Sequence, residues 1–178
     1  EHFEHDNQAT FERVTNYLGK QQDRLPELDL LRATNVQGET IFGRGVDPQQ
    51  RSSLAHRDYY KQLKENPSLG MVIAEPIIGK ISQRWIWLMA RRLNNADGSF
   101  AGLVYGSIFI DDIAKRFAEF SLPTGSVISL RDSQLRLVAR TTFDQNAPIT
   151  PGDTRVSNEL QRALSQNSKA GTYVSDDS

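Results

Sequence analysis

The stretch AHRDYYKQL, residues 55–63, places one arginine and two tyrosines within four positions, in a run where Leu54, Tyr60 and Leu63 fall on one helical face. Arg57 could serve catalysis, hold a ligand or simply be solvated, and Tyr60 reads equally as the core residue of its own helix. Two apolar segments further on carry the other candidates. By the two-residue alternation of strands, Trp85, Trp87 and Met89 share one face, and Tyr105, Ser107 and Phe109 share another. Large apolar side chains on a central strand are usually core, which is the plain reading of Trp87. Polar groups on an inward face need partners that a ligand or an ordered water can supply, so Tyr105 and Ser107 are the more telling pair. Arg91 shares the face of the tryptophans and could reach the same pocket, whereas Arg84 and Arg92 read as solvated or edge-facing.

Catalytic chemistry finds little support. His2 and His5, beside Glu4 and Asp6, have metal-ligand chemistry but lie in the first turns of an exposed helix. The segment NNADGS has Asp97 before Gly98 as in a calcium loop, yet Leu93 and Val104 occupy positions where that loop needs an oxygen ligand and a glutamate. Neither FGRG nor PTGS has the lysine and spacing of a phosphate loop, and no serine lies in a nucleophile-elbow pattern. These residues are therefore expected to carry no enzyme activity, and no cofactor or metal is implied.

Composition narrows the class of partner. The chain has 178 residues, 38% apolar and 24% charged, with a formal net charge of −1, which leaves no electrostatic footprint for nucleic acid. With no cysteine, disulfides, thiolate metal sites and a cysteine nucleophile are all excluded. No window approaches the roughly 18 apolar residues that cross a bilayer, and no signal-peptide pattern is present. Any membrane segments are expected outside these residues.

The elements that must position the candidates follow from periodicity. Residues 1–25 read as one long, mostly polar helix with Phe11, Val14, Leu18 and Leu25 in a narrow stripe. That stripe fits docking on its own domain or pairing with a second copy. LDLLRATNVQGETIFGRG predicts a β-hairpin turning at Gln37 and Gly38, and Ser52 and Ser53 offer N-cap chemistry for a helix running to Asn66. MVIAEPIIGKI, RWIWLMARRL and AGLVYGSIFI read as strands, the last two joined by hairpin chemistry in NNADGSF. DDIAKRFAEF reads as a helix with two aspartates at the positive end of its dipole. A second round then begins: SVISL and LRLVAR as a hairpin around RDSQ, a helix near residues 156–165, and a strand-like GTYVS.

From RDYY through RWIWLMARRLNNADGSFAG and GSIFIDDI to GSVISLRDSQLRLVAR, the sequence resembles Cache sensor domains of the double-module type. It is especially similar to those outside the inner membrane in bacterial diguanylate cyclases and related signalling proteins. The resemblance implies an α+β fold: a signalling and dimerisation helix over residues 1–27, a PAS-like membrane-distal ligand-binding module over 28–121, and an incomplete membrane-proximal module over 122–178. It implies a periplasmic sensor of an inner-membrane protein, anchored by segments outside these residues, homodimeric through the first helix, and controlling a cyclase that makes cyclic-di-GMP. A histidine kinase or chemoreceptor is the alternative output, and a ligand-free dimerisation or adhesion module would show the same elements. In such modules an arginine grips a ligand carboxylate beside an aromatic two residues on and a tyrosine after it, which maps to Arg57, Tyr59 and Tyr60, with Tyr59 in place of the usual tryptophan. The pattern for α-amino acids also has a tyrosine five residues before the arginine and an aspartate on the last strand, where this sequence has Ser52 and Ser107. The implied ligand is therefore a small carboxylate or other anion without a charged amine.

Overall fold

The computed structural model describes residues 2–80, 82–141, 150–167 and 169–174, with side chains from residue 8 onward. Helix α1 (His2–Asp23) leads into an antiparallel hairpin of β1 (Leu28–Thr34) and β2 (Thr40–Gly43). The turn is set by Asn35 and Gly38. The Asn35 side-chain oxygen accepts from the amides of Gln37 (3.0 Å) and Glu39 (2.9 Å), while Gly38 takes the left-handed φ of 83° that a residue with a Cβ resists. Helix α2 (Asp58–Glu65) follows, then the short strands β3 (Met71–Ile73) and β4 (Ile77–Ile78), and the long hairpin β5 (Trp85–Asn94) and β6 (Phe100–Phe109). These strands form one sheet in the order β2-β1-β6-β5-β3, with β4 also paired to β5. Helix α3 (Ile110–Ala118), a separate hairpin of β7 (Ile128–Arg131) and β8 (Leu137–Thr141), and helix α4 (Asn158–Gln166) complete the described chain.

Each face of the sheet has its own core. On one, Tyr59, Tyr60 and Leu63 of α2 pack on Leu88, Ala90, Leu103 and Tyr105 of β5 and β6. On the other, Trp85, Trp87, Ile113 and Phe117 surround Ile110, Val138 and Ala139 of α3 and β8. Helix α1 docks on β1 and β2, with Leu18 only 7% exposed, the rings of Phe11 and Phe42 6.2 Å apart, and Arg44 forking onto both carboxylate oxygens of Asp23 at 2.6 and 2.7 Å. The stripe therefore meets its own domain through Phe11 and Leu18, while Leu25 lies past the helix end and is exposed.

Several sequence expectations need correction. Helix α2 starts at Asp58, because residues 52–54 run extended beside the first hairpin: Thr40 N donates to Ser52 O, and Leu54 N to Gly38 O, both at 2.8 Å. Ser52 and Ser53 are thus not its caps, and Arg57 itself is the N-cap residue. The segment MVIAEPIIGKI splits into β3 and β4, since Pro76 between them has no amide hydrogen for the ladder. Residues 171–174 of GTYVS form no strand, and Ser175 lies outside the described residues. Arg92 is half-buried and tied down rather than a free surface charge: its guanidinium donates at 2.7 Å to the carbonyls of Leu63 and Lys64, holding the C-terminal turn of α2 where a cation is favoured.

The two sheets differ in how much surrounds them. Strands β5 and β6 are flanked on both sides by other strands, whereas among the described residues β7 and β8 pair as strands only with each other, and the buried cluster on that side is limited to Ile110 with Val138 and Ala139 of β8 itself. Amide exchange is expected to be markedly faster in β7 and β8 than in β5 and β6 when followed by mass spectrometry of peptic fragments. Equal protection would show that the small hairpin opens only with the whole molecule.

Candidate ligand-binding site

A cavity of about 300 Å³ lies between the sheet face that carries Leu88, Tyr105 and Ser107, the start of α2, and the β4–β5 connection. Strand pairing aligns Leu88 with Ser107, Leu30 with Ser107, and Arg32 with Tyr105, and cross-strand partners point to the same side. The floor is therefore a band of apolar and polar side chains from three adjacent strands. Arg57 and Tyr59 close the opposite wall. A second cavity of about 420 Å³ reaches towards Glu75, Gln134 and Arg136, and His56, Arg57, Tyr59 and Ile77 line both.

Arg57 is placed by helix initiation. Its backbone is extended (φ −78°, ψ 139°) and its carbonyl accepts from the amides of Tyr60 (3.1 Å) and Lys61 (3.2 Å). Its side chain caps nothing, and its Nε is buried without a hydrogen-bond partner. Among the described residues no carboxylate is paired with it. Tyr59 is buried beside it, and that burial pushes its phenol up to about 12, with the Arg57 cation opposing the shift. Tyr105 shares a 2.9 Å hydrogen bond with Thr40 Oγ1; burial raises its phenol, against the opposing pull of Thr40 and Arg32. Ser107 is fully buried and donates to the carboxylate of Asp29 at 3.3 Å.

Of the residues expected from the sequence, Arg57, Tyr59, Tyr105 and Ser107 come together around the cavity. Tyr60 does not line it. Its ring packs edge-on against Phe100 at 5.6 Å and its hydroxyl donates to Val36 O at 2.7 Å, which makes it a tie between α2 and the first turn. Trp87 points to the opposite face, because strand alternation separates it from Leu88; its indole Nε1 donates to Ala74 O at 3.0 Å. Arg91, on that same opposite face, is exposed.

Four charged or titratable lining residues escaped the sequence reading: Asp29, Arg32, His56 and Lys80. A signal existed for two of them. Asp29 and Arg32 are the only charges in LDLLRAT, and a spacing of three cannot put both on one face of a regular strand. A bulge between Leu28 and Leu30 resolves this. Arg32 has room because Gly43, at φ 125°, has no Cβ; one would lie 2.6 Å from Arg32 Cγ. Ser52 also lines the cavity. The side chains of His2, Glu4, His5 and Asp6 lie outside the described part, and among the described residues no group of three His, Asp or Glu is placed to hold a metal ion. No described helix is long and apolar enough to cross a membrane.

No family model matches the sequence, and no curated protein matches it. Among solved structures, the chain is similar to the extracellular domain of a candidate histidine kinase, rpHK1S-Z16, at 25% identity and a TM-score of 0.70, over 85% of this chain and 61% of that one. It is similar in fold to the ligand-binding domain of the Campylobacter jejuni chemoreceptor Tlp3 in complex with L-valine, at 13% identity and a TM-score of 0.57, over 88% of this chain and 60% of that one. The ligand-binding domain of the Pseudomonas fluorescens chemoreceptor CtaA in complex with L-serine shares 19% identity and a TM-score of 0.51, over 71% of this chain and 53% of that one. This chain spans about three fifths of the length of the first two.

The buried phenol offers a check on the cavity wall. Its raised value favours the neutral form in the folded state, so the contribution to stability is complete below pH 10 and is lost as pH rises towards about 12. The absorbance titration of the wild type minus that of Tyr59→Phe is expected to be centred near pH 12. A difference curve centred at 10 would show that Tyr59 is wet.

Proposed function

We propose, since the chain has the fold of Cache-type sensor domains, that it is the extracytoplasmic ligand-sensing domain of a transmembrane signalling protein, and that Arg57 anchors the carboxylate of a small molecule in the cavity under α2. The observation that carries this reading is the buried Arg57 Nε with no partner. An unsatisfied buried donor costs about 1–3 kcal/mol, more when charged, and a carboxylate is the group whose two oxygens match a guanidinium. The N-terminus of α2 adds a partial positive charge at the same wall. A cavity of about 300 Å³ is at the lower end of the size that takes small molecules.

In this reading residues 28–121 are the membrane-distal module, 122–178 belong to a membrane-proximal one, and 1–27 carry the signal and the dimer contact. The anchoring segments and the inner-membrane location belong to the rest of the protein. The likeness to a histidine-kinase extracellular domain and to chemoreceptor domains supports those outputs, whereas a diguanylate cyclase output rests on the sequence resemblance alone.

Two measurements test the reading. In a thermal-shift screen of small carboxylates, a compound that binds only the folded state raises the melting temperature by mass action. Arg57→Ala is expected to cost about 2–5 kcal/mol of binding, well over tenfold in affinity, and so to abolish the shift, while Arg91→Ala leaves it intact. A shift retained in Arg57→Ala removes the anchor. For the dimer contact, Val14 and Tyr17 line an apolar groove with Ile41 and Leu93, and Tyr17 is 61% exposed. A stripe this narrow supports weak association in solution and a stronger one when the membrane tethers both copies. Sedimentation over a concentration series is expected to show weak self-association that Val14→Asp with Tyr17→Asp abolishes. A tight dimer that survives both changes places the contact elsewhere.

A further inference from the structure

Strand β3 is the last on the path β2-β1-β6-β5-β3, and its outer side is open. It pairs with β5 as Met71 with Arg91, Val72 with Ala90 and Ile73 with Met89, and Ala74 N continues the ladder by donating to Leu88 O at 2.9 Å. Hydrogen-bonded positions alternate along an antiparallel pair, so Val72 and Ala74 turn their main-chain groups to β5 while Met71 and Ile73 turn theirs outward. Among the described residues nothing bonds to those outward groups, and the two side chains are 50% and 44% exposed. This edge runs along the cavity of about 420 Å³, where Val72, Ile73 and Ala74 form one side. Tyr59 and Gln62 of α2 form a second side, and Gln134 and Arg136 of the β7–β8 turn a third. The cavity is thus a groove between an open strand edge and a helix. Arg92, next along β5 from the partner of Met71, holds the last turn of α2, so the helix begins, and Arg57 stands, at the Ala74 end of the edge.

We propose that this groove takes the carboxy-terminal end of a short extended peptide, which adds a strand to β3, places its terminal carboxylate at Arg57 and puts its last side chain in the cavity under α2. This rests on the proposed role of Arg57 and deepens it. An extended chain supplies the donors and acceptors that the outward groups of Met71 and Ile73 lack, and main-chain pairing of this kind gives affinity without a fixed sequence. The free carboxylate at its end matches a guanidinium whose buried Nε has no partner. His56, Arg57, Tyr59 and Ile77 line both cavities, so a chain that reaches Arg57 along the groove meets the mouth of the other one. There Leu54, Ile86 and Leu88 offer apolar surface to a last aliphatic side chain. Strand β3 has three residues and Pro76 follows closely, which limits the pairing to a short peptide and the groove to its end.

The test titrates the protein by calorimetry with the tetrapeptide acetyl-ATAV, its carboxy-terminal amide, and acetylvaline. The tetrapeptide is expected to bind at least tenfold more tightly than either of the others. Two further forms, N-methylated at the threonine or at the second alanine, leave the protein untouched. Only one of them should lose about tenfold in affinity, because an added strand points alternate amides at its partner. Ile73→Pro removes an outward amide, which an edge strand tolerates, and should bring acetyl-ATAV down to the level of acetylvaline while circular dichroism and melting stay near wild type. Acetylvaline that binds as tightly as the tetrapeptide, or equal effects of the two methylations, overturns the added strand and leaves Arg57 as the anchor of a smaller ligand. Tetrapeptide binding that persists in Arg57→Ala, or in the amide, removes the anchor instead. If Ile73→Pro abolishes self-association in sedimentation and leaves peptide affinity unchanged, the edge belongs to a second copy and the proposal falls. A set in which nothing binds the wild type overturns both the added strand and the anchor.

Discussion

The β5–β6 ladder is the constraint on which the other elements depend. Nine residues of each strand are paired from Ile86 with Phe109 to Asn94 with Phe100, and the two faces of this hairpin carry different chemistry. One face presents Leu88 and Ala90 beside Ser107 and Tyr105, and α2 covers it to make a cavity. The other presents Trp85 and Trp87, and α3 with β8 covers it to make a solid core. Because side chains alternate strictly, a slip of one residue would put the tryptophans in the cavity and Leu88 under α3. The Asp97–Gly98 turn, in which the aspartate accepts from Ser99 N at 2.9 Å and from its hydroxyl at 2.6 Å, pins that register.

Around this frame the polar groups divide into satisfied and unsatisfied sets. Arg44, Arg92 and Arg136 each end on two or more acceptors and act as ties. Arg136 reaches Asp132 at 2.6 Å, Gln134 at 2.7 Å and Glu75 at 2.7 Å, and the last of these joins the β7–β8 hairpin to the β3–β4 connection beside the cavity. Arg57 is the contrast: it lines the cavity, its Nε has no acceptor, and among the described residues no carboxylate is paired with it. Unmet capacity of this kind, concentrated in a cavity, separates a site from a scaffold.

Much of the frame was legible because it rests on local rules. The long first helix, the Asn35–Gly38 turn, the NNADGSF hairpin and the helix after GSIFI follow from periodicity and turn chemistry over a few residues each. The failures have a common cause. Ser52 and Ser53 have the right chemistry for an N-cap, but their backbone groups are taken by the first hairpin, so α2 begins five residues after Ser53. Arg92 reads as a surface charge until the end of α2 is brought over it. Such competition between local preference and a distant partner has no trace within the segment itself.

By itself the sequence determined the element types, the antiparallel α+β plan, and the presence of an arginine with two tyrosines at the start of a helix, since each depends on residue type and short-range spacing. It also divided the strand residues into two sets by alternation. Only the tertiary structure decided which set faces the cavity, because that depends on which side α2 and α3 cover. That choice kept Tyr59, Tyr105 and Ser107 at the site, sent Trp87 and Arg91 to the far side and made Tyr60 a packing residue. The tertiary structure alone brought Asp29 in as well: its direction is set by a one-residue slip against β6, and a slip between strands is a property of their pairing and not of either strand.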